Sequence, residues 1–317
     1  MQAQHSKGPP IAIENLFSGI PATPDQASFR QLFLHLFETE EDFLPSARKP
    51  LGRLWALIQS SHSTLEECAT VIQLDPALAA RLFRVANSAA CKGNASTIQG
   101  AVFHLGLAKL RQFVFTNQIF DRFSRLSLPL AWEAFWVRNV FVAQLTERVA
   151  SFYFQPDGTE YLAGMLHDTG WLLLDSYFPV EFDVIIENSM PLDGTEAEIL
   201  SFTHADVSAA VCVKSHIPLR AIEAVRRHHT PALPPIRDVK PAESAAFLSV
   251  LLFLCDRMAD THSLCVGGKG TGDTYERLVQ RPEFTWLTGF GKTPDFKALA
   301  EEELTRVYSL CDSLLQK

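Results

Sequence analysis

The chain has 317 residues, a formal net charge of −8 and 47% hydrophobic side chains. That is ample apolar material for one large or two small packed domains, and the acidic balance excludes a broad nucleic-acid interface, which needs a positive footprint. Six scattered cysteines (Cys68, Cys91, Cys212, Cys255, Cys265, Cys311) contain no Cys-x-x-Cys pair. This excludes a zinc ribbon or thioredoxin-like site and points to small core hydrophobes in a reducing, cytoplasmic setting.

No basic region followed by an apolar run opens the chain, and no stretch of about 18 apolar residues suits a membrane span. Residues 1–22 are rich in Pro, Gly and polar side chains around one short apolar patch (Ile11, Ile13, Leu16, Phe17), which reads as a flexible lead-in. Thr23-Pro24 is a cap followed by Pro at the first helical position. Phe29, Leu32, Phe33, Leu36 and Phe37 then recur at helical spacing. Leu51, Leu54, Trp55 and Ile58 mark the next helix, and Thr64 with Glu67 a capping box. Asp75-Pro76 opens a helix that ends at Asn87-Ser88. Thr97 caps a short helix stopping at Gly106, and a long amphipathic helix follows.

Pro129 divides the chain. Residues 130–154 form a helix carrying Trp132, Phe135, Trp136 and Phe141. Asp157 caps the helix ending at His167-Asp168, and two short helical pieces reach Glu187. Thr195 with Glu198 is a second capping-box pattern. His204-Ala-Asp206 leads an apolar helix to Ser215. Pro218 opens a helix ending at His228-His229, and 231–241 is a proline-rich loop. Residues 242–262 are an apolar helix holding Asp256 and Asp260. The 267–273 loop (GGKGTGD) has no preceding strand, so it is a weak phosphate-binding signal. Arg220, Arg226 and Arg227 read as a solvated helix face. No stretch alternates with period two, so the class is all-α. The divisions expected are a lead-in (1–22), a first helical half (23–128), a second half (129–262) and a C-terminal loop and helical extension (263–317).

Chemistry concentrates in the second half. His167, Asp168, His204, His228, His229 and Asp256 lie at helix ends or on helix faces. A mononuclear or binuclear metal site inside a helical bundle is built this way, with ligands projecting inward from different helices. Such an ion would lower the pKa of a bound water and polarise a phosphoryl oxygen, with Asp168 able to bridge two ions. Bland readings stand beside this one. His228 and His229 are about 100° apart on a helix of roughly 3.6 residues per turn, so one of them faces water. His204 serves as a cap. Asp256, among Phe253, Leu254 and Cys255, needs a partner, which is Arg257, an arginine from elsewhere or a metal.

The ordered motifs extend beyond these residues. They include Asp75-Pro76 with Leu78, Leu82-Phe-Arg-Val-Ala-Asn87-Ser88-Ala89, Ile98, and Ala101 through Leu105-Gly106. They continue with Trp136, Ala163-Gly-Met-Leu-His-Asp-Thr-Gly170, Glu198, His204-Ala205, and His228-His229 ahead of Pro231. The His-Asp, His, His-His, Asp order resembles the HD superfamily of metal-dependent phosphohydrolases, with HD-GYP cyclic-dinucleotide phosphodiesterases the nearest in pattern. From about residue 44 to 240 the chain resembles the HDOD domain, an HD-related output domain of bacterial signalling proteins. The resemblance implies an HD-like helical bundle behind an N-terminal helical subdomain, in a family regarded as lacking demonstrated hydrolase activity.

Departures from the active HD pattern fit that implication. Active HD enzymes carry a further His on the helix before the His-Asp pair, whereas no His occurs from 105 to 166 and the region reads Trp136-Val137-Arg138-Asn139. Arg138 would supply positive charge there and pair with Asp168. Trp171 stands where HD-GYP members have Lys, and no Gly-Tyr-Pro follows. The leading expectation is a non-catalytic signalling module with a degenerate pocket (His167, Asp168, His204, His228, His229, Asp256, Arg138) that binds a signalling protein or a small ligand such as a nucleotide. The rival is a phosphohydrolase acting on cyclic dinucleotides or other phosphoesters. It would hold a divalent ion (Fe, Mn, Zn or Mg) on His167, Asp168, His204, His228 and Asp256. A third reading is a plain helical scaffold.

Overall fold

The computed structural model describes residues 12–39, 48–60, 63–88, 91, 93–121, 132–187, 192–264, 274–291 and 293–315. Every regular element among them is helical. The first half holds α1 (Ile13–Phe17), α2 (Pro24–Thr39), α3 (Arg48–Gln59), α4 (Leu65–Ile72), α5 (Pro76–Ala86) and α6 (Ile98–Asp121). The second holds α7 (Trp132–Ala150), α8 (Thr159–Leu166), α9 (Gly170–Tyr177), α10 (Pro179–Glu187), α11 (Leu192–Leu200), α12 (His204–Lys214), α13 (Leu219–Arg226) and α14 (Ala245–Thr261). The chain continues through α15 (Tyr275–Leu278), α16 (Pro282–Thr288) and α17 (Phe296–Leu315).

Local chemistry sets most of the boundaries. Thr64 and Glu67 exchange side-chain and backbone hydrogen bonds at the start of α4. Asp75 Oδ1 accepts the Leu78 N–H at 2.9 Å, and Pro76 fills the first position of α5. Beyond α5, Asn87 closes its own loop: Oδ1 accepts from Ala95 N (2.9 Å) and Nδ2 donates to Ala95 O (3.0 Å). Thr97 Oγ1 caps α6 by accepting the Gly100 N–H at 2.9 Å. At Gly106 α6 breaks, with φ 68 and ψ 170, a conformation that costs a residue bearing Cβ dearly.

Several expectations are corrected. The lead-in contains α1, whose Leu16 and Phe17 are buried; two apolar residues in a short helix suffice because α12 offers them a face. Residues 1–11 lie outside the described residues. Thr195 and Glu198 form no capping box, because α11 already begins at Leu192; Thr195 is buried inside the helix and Glu198 is exposed. Of the basic cluster only Arg227 is solvent-exposed. Arg220 pairs with the fully buried Glu160, and Arg226 with Asp206 at 3.2 Å. Pro129 and the 267–273 loop lie outside the described residues.

A continuous apolar core joins the halves, drawing on Leu82 and Phe83 (α5), Phe141 (α7), Leu172 (α9) and Leu252 (α14). From Phe247 to Asp256 every side chain of α14 is buried, so this helix runs through the interior. The C-terminal elements wrap it. Arg148 of α7 pairs with Glu302 and Glu303 of α17, and Trp286 Nε1 donates to Pro234 O at 2.7 Å. Cys68, Cys212 and Cys255 are buried thiols and Cys91 is half-buried, none in a disulfide. No helix among the described residues is long and apolar enough to cross a membrane.

Asp175 on α9 is buried, and its Oδ2 meets no hydrogen-bond donor among the described residues. Burial, reinforced by Asp183, pushes its carboxyl up to about 6. A carboxyl raised in the folded state costs stability only once it ionises, so the penalty grows from pH 4 to pH 6 and is complete above that. Asp175→Asn is therefore expected to gain roughly 1–2 kcal/mol on wild type between pH 4 and pH 7 in parallel denaturant titrations. Curves that stay parallel across that range would refute the assignment.

Candidate functional site

Five helix-anchored segments converge on one buried point. Arg138 comes from the middle of α7. His167 and Asp168 lie in the turn between α8 and α9. His204 is the first residue of α12, His228 and His229 follow the end of α13, and Asp256 projects from α14. The α12 terminus is set by Thr203 and Asp206, which form a reciprocal capping box. Gly170 lets α9 approach closely, since a Cβ there would lie 2.1 Å from the His204 carbonyl oxygen. Gly170→Ala is therefore expected to cost about 1–3 kcal/mol by forcing α9 off α12. Thermal denaturation tests this, and an unchanged Tm would contradict the contact.

Arg138 is the centre's main cation. Its Nε donates to Asp168 Oδ2 at 3.2 Å and its Nη2 to Asp256 Oδ1; its Nη1 donates to Asp260 Oδ1 at 2.8 Å and to the Leu264 carbonyl. The guanidinium is buried, and burial alone would favour its neutral form. The three carboxylates, Asp256 first, outweigh that and fix the charge.

His167 is the second cation. Its Nδ1 lies 2.7 Å from Gly164 O and must donate to it. Its Nε2 lies 3.1 Å from Asp256 Oδ1 and 3.2 Å from Asp168 Oδ2, which only a second N–H can satisfy. Against the opposing effect of burial, Asp168 and Asp256 raise this ring to about 9. In return Asp168 and Asp256 are held well below the usual carboxylate range, although burial pushes both the other way. Asp260 remains raised, because burial and Asp256 outweigh Arg138 and Arg257.

On the opposite side of Asp168, Glu196 and Asp168 raise His204 to about 10 against the effect of burial, whereas its contact with His229 leaves room for only one proton between the two rings. Arg257 Nη2 donates to His229 Nδ1 at 2.9 Å, so the His229 proton sits on Nε2. His229 Nε2 and His204 Nε2 are 2.8 Å apart, with room for that one proton between them. His204 Nδ1 donates to Glu196 at 2.8 Å. His228 donates Nδ1–H to Val225 O at 2.6 Å, which leaves a lone pair on Nε2. That buried nitrogen has no hydrogen-bond partner among the described residues and lies 3.6 Å from Asp168 Oδ1. Burial holds both the His228 and His229 rings below their ordinary value.

The structure thus brings all seven sequence candidates together. The expectation that His228 or His229 faces water is corrected: both lie in the turn beyond α13, so helical angular spacing does not apply, and both rings point inward, 3.9 Å apart. His204 is not the cap of α12, a role taken by Thr203. The partner left open for Asp256 is Arg138, with His167 beside it.

One participant, Glu196, escaped the sequence reading, and two residues named there, Trp171 and Asp260, gain a place in the centre. Glu196 is fully buried and also accepts the His204 N–H at 2.7 Å, yet nothing distinguishes it from the neighbouring Glu198 in the chain. Trp171 stacks on His204 at 4.6 Å. Asp260 was signalled, since it lies four residues after Asp256 on the same helix face.

The two sides of Asp168 differ in their fit to a divalent ion. The donors of Asp168, His204, His228 and His229 lie within 4.8 Å of one another, and the orphan His228 lone pair is aimed among them. This nitrogen and carboxylate set suits iron, manganese or zinc. His167, His228 and Asp256 are also grouped, but Arg138 and the His167 proton already occupy the Asp256 carboxylate there.

A buried His/Asp centre inside an all-helical, HD-like bundle defines the class. The family model described as the HDOD domain matches residues 44–231, and the chain belongs to that family. No curated protein matches the sequence. Solved structures share the fold at low identity. A response regulator, MmoQ, from Methylococcus capsulatus aligns over 84% of this chain and 98% of its own at 21% identity, with TM-score 0.59. A Campylobacter jejuni virulence factor aligns over 89% and 100% at 15% identity, also 0.59. An HDOD domain protein of unknown function from Geobacter sulfurreducens aligns over 91% and 98% at 22% identity, with TM-score 0.51.

Proposed function

We propose that the chain is a non-catalytic regulatory module, whose HD-like centre holds its helices in register while other surfaces engage a signalling partner or small ligand. One observation carries this reading: Arg138 bridges Asp168, Asp256 and Asp260 from within the fold. With His167 protonated, two internal cations balance Asp168 and Asp256, so these carboxylates need no metal. Burial argues the same way. His167, Asp168, His204, His228 and Asp256 are each no more than 3% exposed, and of the grouped donors only His229 is partly exposed, which shields the centre from a phosphoester in this conformation. The response-regulator name of one structural relative is consistent with a signalling role.

A second reading, a phosphohydrolase holding a single ion on Asp168, His204, His228 and His229, is favoured by the unpartnered His228 Nε2. Elemental analysis of chelator-free protein, with turnover assays on cyclic dinucleotides and a generic phosphodiester, separates the two. The regulatory reading expects substoichiometric metal and no turnover. Stoichiometric iron, manganese or zinc with turnover abolished by Asp168→Asn would overturn it.

A further inference from the structure

Residues 12–39 precede the span matched by the family model, yet they pack against the turn that delivers His204. That turn is Ser201-Phe202-Thr203, between α11, which carries Glu196, and α12, which His204 opens. It is under tension. Ser201 is buried with φ 67, a region that residues with a Cβ occupy only when their surroundings compel it.

The compelling contacts come from the N-terminal helices. Arg30 of α2 donates through Nη2 to Ser201 Oγ at 2.8 Å and to Ile20 O at 3.1 Å; its Nη1 donates to Phe17 O at 3.1 Å. One guanidinium thus ties α1, the α1–α2 link and the His204 turn together. Gln26 Nε2 donates to Glu198 O at 2.7 Å, one turn of α11 before Ser201. Phe202 is enclosed by Phe17 and Phe33, with ring centroids 5.6 Å away in each case, and by Phe178 at 6.3 Å. From the other side, Arg226 of α13 binds Asp206 and the Leu16 carbonyl.

We infer that residues 12–39 are a positioning strap for the buried centre: Arg30 holds the 201–203 turn in its strained form, and that form sets His204 against Glu196. Arg30 is a positioning residue, distant in sequence from every member of the centre and acting through Ser201. The strap performs this role whether the centre holds an ion or only protons, so the inference does not rest on the functional reading above. The segment ahead of the family span thereby controls one wall of the centre: anything that lifts α1 and α2 loosens the His204 wall and leaves the Arg138 wall in place.

The test is long-range imidazole NMR on full-length, chelator-treated protein labelled with 15N-histidine and assigned by single-histidine substitutions. In Arg30→Gln and in Ser201→Ala, the slowly exchanging His204 Nδ1–H resonance held by Glu196 is expected to be lost, and the His167 Nδ1–H resonance is expected to stay. Arg148→Gln, which breaks the distant pairing to α17, should lower Tm and leave His204 unmoved. If Arg30→Gln does not fold, Ser201→Ala, which removes one hydroxyl, decides alone. Retention of the His204 resonance in the folded variants would overturn the inference. So would its loss in Arg148→Gln to the same degree.

Discussion

Arg138→Gln is expected to remove about 3–5 kcal/mol of folding stability, because it leaves buried carboxylates without their cation. The side chain is 5% exposed and bonds to three carboxylates and one carbonyl, so no solvent replaces it. A neutral amide can satisfy one of those acceptors at most. Equilibrium denaturation at pH 7 measures the loss, with Asp260→Asn as the comparison. That change removes one raised carboxylate from the edge of the network, so the relieved ionisation offsets the lost bond to Arg138 and stability should stay within about 1 kcal/mol of wild type.

The pH dependence adds a sign. In wild type, Asp168 and Asp256 are depressed, so their contribution is complete above the ordinary carboxylate value and is lost only as pH falls through the lower folded value. Without Arg138, burial dominates at Asp256 and its carboxyl moves upward. The variant's deficit should then shrink as pH falls from 7 towards 4, because protonation removes the uncompensated charge. A deficit below 1 kcal/mol, or one independent of pH, would mean that Arg138 is not the cation that holds the centre.

Caps and periodicity carried far in this chain because they are local. Thr64, Asp75, Thr97 and Gly106 each act within a few residues of themselves, and the structure uses all four as the sequence suggests. The Thr195–Glu198 pattern misled for a related reason: a capping box has meaning only at a helix start, and α11 starts three residues earlier. The centre was partly legible because His and Asp types recur in a recognisable order. Its wiring was not, since Arg138 meets Asp256 and Asp260 across 118 and 122 residues. No local periodicity encodes that pairing. Glu196 shows the limit most sharply. It and Glu198 lie two apart on one helix, and only the packing of α11 decides which is buried beside His204 and which faces water. The N-terminal strap was missed in the same way, because two buried side chains in a five-residue helix are too few to register as a pattern.

The substitution with the largest expected change in chemistry is Arg138→His. An imidazole at this position of α7 would face Asp168 Oδ2 and Asp256 Oδ1, the two atoms the guanidinium now holds. It would supply the upstream ligand that the active HD pattern carries and would take away the fixed cation that competes with a metal. His167, left as the one cation between two carboxylates, would release its Nε2 proton to an incoming ion whose charge takes over that balance, as metal binding to histidine requires. The variant is therefore expected to retain about one equivalent of divalent iron, manganese or zinc through gel filtration, and wild type substantially less. An ion bound only to the folded state stabilises by about 2.7 kcal/mol at a hundredfold excess over its Kd. Chelator should accordingly lower the Tm of Arg138→His by several degrees and leave wild type nearly unchanged. Equal metal content in both proteins would decide against the exchange: if both are empty, the remaining ligands are too constrained to close on an ion. If both are loaded, the His228 side of Asp168 binds metal despite Arg138, and the hydrolase reading gains the ground that the regulatory one loses.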